Sequence, residues 1–240
     1  MAAAPGPELE PGPGPGPRAG RSQARFRLLA SGGIAGPVVF TAAWVGASLR
    51  QPGPSFNRIQ LSGLAALDAR DPWIMITGFV TLGAGSVALG TALKQALGGS
   101  GRAGRGPDLV RVAGAAIVAA GVFRRDHTLL GPGFAGESWH NHLHDAASLV
   151  VYATSIAAPL VLARRFRHDP EWAATRRPLL ACGLATAALL GLFASGAVKD
   201  WNGALQRVLA TVPLASMAVL ARRLLAAVPE TGDLSQRGAG

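Results

Sequence analysis

Four of the chain's five histidines fall in one twenty-residue window, from Asp126 to Asp145. His127, His140, His142 and His144 share it with Asp126, Glu137 and Asp145, and long apolar runs flank it on both sides. His140 and His144 are four residues apart, so on a helix they lie on one face, one turn from each other. That is the spacing at which two imidazoles can share a metal, as in HExxH helices. A tetrahedral zinc site needs a third protein ligand. Asp126 is the candidate, brought alongside if the helices before and after the window pack antiparallel. Asp145 could orient a histidine by accepting a hydrogen bond from its other ring nitrogen. No HExxH glutamate is present, so a zinc-peptidase reading lacks its general base. The competing reading is that these groups cap a helix and bond to neighbouring loops. His142 points away from the pair on a helix, where a solvated role is expected, and His127 has no assignable place.

One further cation stands out. Arg207 lies near the start of the last apolar run, where an ionisable group normally faces a bundle interior with a partner. The candidates are Asp200, about two turns earlier, and Asp126 across the bundle. A guanidinium there could instead take an anionic head group or carboxylate as a fork, or snorkel to the interface.

The elements that must carry these residues follow from composition. Apolar residues make up 49% of the chain and charged residues only 15%, and uncharged runs of about 20 residues recur, enough to cross a bilayer core as helix. The net charge of +10 would suggest nucleic acid in a soluble protein. Here the basic residues bracket the apolar runs, as Lys and Arg do on the cytoplasmic side of membrane spans. Aromatic residues are too few for base-stacking platforms, so no nucleic-acid partner is expected. The single cysteine, Cys182, excludes an intramolecular disulfide.

Residues 1–27, with their Pro-Gly repeat, are expected to be a disordered cytoplasmic tail. Six spans follow, at about 28–49, 73–93, 107–125, 143–163, 178–198 and 204–221, with the fourth able to begin as early as Ser138. Gly32 and Gly36 permit close packing of the first span. The stretch Ile59–Leu67 reads as a short amphipathic helix along the interface. Residues 226–240 form a polar cytoplasmic tail. Of the 23 Lys and Arg residues, 16 fall on the side of both termini and 7 on the other. The expected fold is therefore an all-α integral membrane protein, a six-transmembrane-helix bundle with both termini cytoplasmic and the histidine window facing outward.

The order Gly121-Val122-Phe123-Arg124-Arg125-Asp126, then His140-x-x-x-His144-Asp145 opening a span, then Gln206-Arg207, resembles the bacterial and archaeal membrane family called domain of unknown function 998. The resemblance covers roughly Leu28 to Leu225 and includes Pro72-Trp73-Ile74-Met75 at the entry to the second span. It implies an Asp after the third span and a paired His before the fourth. The chain departs from the pattern at Arg124, where proline is expected, and at His142, where an apolar residue or glycine is usual. The family name implies no activity.

Two functional readings lead. One is a metal-dependent hydrolase of the bacterial inner membrane, acting on lipid or another amphiphile, with one divalent metal such as zinc on Asp126, His140 and His144. Asp145, Arg207 and Asp200 would support that ion or bind substrate. The other is a non-enzymatic membrane binding, sensing or assembly protein whose polar cluster is structural. A haem protein ranks last, because the histidines all gather near one interface. Transport is disfavoured, since no span carries a charge near its midpoint.

Overall fold

The computed structural model describes residues 17–53, 55–98, 104–129 and 138–227. Six long helices dominate: α1 (Pro17–Arg50), α3 (Pro72–Ala96), α4 (Gly106–Val122), α5 (Trp139–Arg165), α6 (Ala173–Ser195) and α7 (Asn202–Ala226), with a single-turn α2 (Ser55–Arg58) after α1. Each long helix packs on the next long helix in the chain, and α7 packs back on α1, which closes a ring. Five of the six are long and apolar enough to cross a membrane. The exception is α4, whose 17 residues reach only about 26 Å at 1.5 Å per residue.

The apolar runs forced helix because hydrocarbon offers no partner for a free backbone N–H or C=O. Their outward faces carry side chains a water-soluble bundle would bury. Leu28, Leu149 and Leu184 are 73%, 70% and 57% exposed, a surface suited to lipid. Trp73, Trp139 and Trp201, at the starts of α3, α5 and α7, are also exposed. All three lie at the same end of the ring, as interfacial tryptophans do.

Close approach of α3 to its neighbours depends on paired glycines. A Cβ on Gly85 would lie 2.5 Å from the Gly32 carbonyl oxygen of α1, and one on Gly83 would lie 2.5 Å from that of Gly114 in α4. Backbones can touch there only because no side chain intervenes.

Three expectations need correction. First, α1 reaches back to Pro17, so residues 17–27, expected within a disordered tail, are the first turns of a helix. Proline is favoured at a first helical position, and the Arg, Ala and Gln that follow are good helix formers. Residues 1–16 and 228–240, the rest of the expected tails, lie outside the described residues. Second, α4 ends at Val122, not at Arg125, because Arg124 and Arg125 turn away to bond another loop. Third, the Ile59–Leu67 stretch is no interfacial helix. It folds inward over the end of the ring with a 3-10 turn at Gly63–Ala65, burying Ile59, Leu61, Leu64, Ala65 and Ala66.

Candidate functional site

The 59–67 segment forms a cap over the tryptophan-bearing end of the ring, and side chains from distant helices satisfy its backbone. The Arg124 guanidinium donates to the carbonyls of Ala65 and Ala66 at 2.9 and 2.7 Å. Arg125 is buried and donates to Gln60 Oε1 at 3.0 Å. From α7, Gln206 Oε1 accepts from the Leu61 N–H at 2.5 Å, and Arg207 donates to the Ile59 carbonyl at 2.8 Å. A buried segment with only one 3-10 turn must find such partners, since unpaired backbone groups are costly.

Arg207 is the anchor on the α7 side. It is 6% exposed and also donates to Ser48 Oγ at 2.7 Å and to the Gly203 carbonyl at 2.8 Å. The rings of Trp44 and Phe56 flank the guanidinium at 5.3 and 5.5 Å, within cation–π range. Neither proposed carboxylate partner is there. Asp200 instead lies 3.6 Å from Arg58 at the exposed rim, and Asp126 is engaged elsewhere.

Asp126 fastens the start of α5. Its two carboxylate oxygens accept from the Ser138 backbone N–H at 2.7 Å and from Ser138 Oγ at 2.6 Å. Those two bonds hold its carboxyl below the usual carboxylate range, so it is ionised at neutral pH. Ser138 Oγ also accepts from the Asn141 N–H at 3.3 Å, an N-cap of the ordinary serine kind. Asn141, 3% exposed, accepts from the Asp126 N–H at 3.3 Å and donates to Asp145 at 3.0 Å. Asp145 thus braces an asparagine, and no bond from it to a histidine is present among the described residues. Ser138 and Asn141 were missed as site residues, though a serine three positions before a polar residue at a span entry is a recognisable cap signal.

The four histidines do not converge. His140 is exposed and stacks on Trp139, with ring centroids 3.6 Å apart. His142 is exposed as well, and His127 approaches Asp68 at 3.6 Å. His144 alone turns inward, 3% exposed. Its Nδ1 lies 2.8 Å from the Ala120 carbonyl and 2.9 Å from that of Phe123. Carbonyls only accept, so Nδ1 carries the hydrogen. Nε2 is then the acceptor for Ser148 Oγ at 3.3 Å. Those carbonyls lie at the frayed end of α4, where no further turn supplies donors. His144 therefore closes a neighbouring helix. Among the described residues no group of three or more His, Cys, Asp or Glu is placed to hold a metal ion, Asp126, His140 and His144 included. Glu137 lies outside the described residues.

Beneath the cap the helices of the ring line a partly open cavity of about 140 Å³. Leu61 and Ser62 of the cap roof it, Ala113 and Ala120 of α4 and Met217 of α7 line it, and His144, Ser148, Tyr152 and Gln206 supply polar points. Gln206 Nε2 donates to Tyr152 Oη at 2.9 Å, which links the wall of the cavity to its roof. Among the described residues no charged side chain lines it.

A closed ring of apolar helices with lipid-facing side chains outside and hydrogen-bonded polar groups at one end defines a multi-pass membrane protein. The family model described as Protein of unknown function (DUF998) matches residues 34–223, and the chain belongs to that family. No curated protein and no solved structure matches it.

Proposed function

We propose that the protein is a non-enzymatic binding protein of the bacterial inner membrane that holds one small apolar molecule, or the tail of an amphiphile, inside its helical ring. The observation that carries this reading is the cavity of about 140 Å³, lined among the described residues by no charged side chain. It is comparable to the ~150 Å³ apolar cavity known to take up benzene. The hydrogen bonds of the Asp/His cluster support a structural role for it. Both oxygens of Asp126 and both nitrogens of His144 are already spent on Ser138, Ser148 and the end of α4. The hydrolase reading requires those same atoms to leave their partners and gather on one ion with His140.

Extraction of protein purified in mild detergent, with mass spectrometry of the extract and elemental analysis of the protein, tests the two readings together. An apolar molecule near one per chain and no stoichiometric metal are expected. Ala113→Leu should abolish the bound molecule while leaving thermal unfolding unchanged or raised, because the added side chain fills space. A stoichiometric metal lost in both Asp126→Asn and His144→Ala would replace this proposal with the hydrolase.

All six long helices span the membrane in this reading, with α4 counted because it packs between α3 and α5. The bias of basic residues supports cytoplasmic termini. Reporters fused at Gly101 and Gly133, both outside the described residues, are expected to mark opposite sides, with Gly101 inside. Equal signals from both would remove α4 from the count.

A further inference from the structure

At the end of the ring opposite the cap, a groove of about 630 Å³ opens on the outer surface between the end of α5 and the start of α6. Its floor is apolar, built from Leu160, Val161 and Leu180, and Arg164, Arg167, His168 and Arg176 rim it. Among the described residues no acidic side chain lines it. Asp169, the nearest carboxylate in sequence, lies 3.7 Å from Arg165 instead. Among the described residues no carboxylate lies within ion-pair distance of Arg164, Arg167 or Arg176. Three arginines are thus gathered around one concavity with no carboxylate of the described residues paired to them.

The floor has its own cause. Gly183 of α6 has no side chain, and a Cβ there would lie 2.6 Å from Leu160 Cδ2. The Leu160 side chain therefore packs into the space that a larger residue at position 183 would take. Leu180 and Leu184, one turn apart on α6, are 38% and 57% exposed. They continue the apolar floor as a stripe from the basic rim toward the middle of the ring.

The geometry points to a binding site for an anionic phospholipid, with its phosphate in the arginine rim and an acyl chain along Leu180 and Leu184. Guanidinium forks match phosphate oxygens in pairs, and basic pockets between spanning helices suit anionic head groups. The stripe selects a lipid over free phosphate, because an inorganic ion has nothing to lay along it. The site shares no residue with the central cavity and stands whether or not that cavity is filled.

Native mass spectrometry of the full chain in detergent tests this, with phosphatidylglycerol, diphosphatidylglycerol, phosphatidylcholine and inorganic phosphate as separate probes. The anionic lipids should bind at about one per chain, and phosphatidylcholine should not. A basic residue at an anionic surface contributes roughly a fivefold factor. The triple variant Arg164→Gln, Arg167→Gln, Arg176→Gln should therefore weaken binding about a hundredfold. The corresponding triple lysine variant should retain part of the affinity, which separates loss of charge from loss of fold. Equal binding of phosphatidylcholine, or undiminished binding by the glutamine variant, would overturn the proposal. So would displacement of the lipid by inorganic phosphate at equal concentration.

Discussion

Arg207→Ala is expected to cost about 3 kcal/mol of unfolding free energy, by loss of a charged donor to buried acceptors together with two cation–π contacts. The Ile59 carbonyl loses its partner inside the cap, the bond to Ser48 on α1 disappears, and Trp44 and Phe56 close on an empty space. One buried atom, Arg207 Nε, has no hydrogen-bond partner among the described residues, which offsets part of the loss. Arg207→Lys should recover less than half, because one compact ammonium cannot reach acceptors on α1, the cap and α7 together. Thermal unfolding of the purified variants in a fixed detergent reads the effect. A shift for Arg207→Ala no larger than that of an exposed substitution such as Arg58→Ala would mean that Arg207 does not hold the cap.

Gly83→Val should prevent accumulation of folded protein altogether. A Cβ at position 83 meets the Gly114 carbonyl at 2.5 Å, and a Cβ at position 114 meets the Gly83 carbonyl at 2.5 Å. Both obstacles are backbone, so no rotamer change relieves them and α3 and α4 must separate. Overpacking of this kind costs about 3 kcal/mol or more. Gly191 on α6 is the control, since a Cβ there meets nothing within 4 Å. Gly191→Ala should be neutral or slightly stabilising, as removal of a mid-helix glycine usually is. Yields after membrane extraction and monodispersity on gel filtration compare the two. Normal yield of Gly83→Val would show that the close approach of α3 and α4 at this glycine pair does not hold the fold.

The spanning helices were legible because lipid leaves an apolar run one choice. Leu28–Leu49 lies within α1, and Trp73–Leu93 within α3. The site was legible only in part. Its residues were picked out by type, and Asp126 and His144 do hold the polar end together, but the i, i+4 spacing could not reveal what faces the imidazoles. That depended on α4 stopping at Val122, which leaves two carbonyls in front of His144. The stop itself reflects Arg124 and Arg125 reaching carbonyls and an amide about 60 residues away. The inward fold of the 59–67 stretch has the same kind of cause. Its mildly amphipathic pattern suits an interface helix, and only partners far along the chain make burial the better solution. Arg207 was matched against carboxylates, whereas carbonyls, a hydroxyl and aromatic faces satisfy it.

The cap also fixes an order of events during synthesis. Its Leu61 amide waits for Gln206, 145 residues later, and its Ile59 carbonyl waits for Arg207, 148 residues later. The ring likewise closes only when α7 meets α1. Until the ribosome has delivered the last helix, the 59–67 segment has no seat for its backbone at these points, however well the earlier helices have inserted. A chain cut short before Asn202 keeps five long helices and loses the closure of its ring and the anchoring of its roof together.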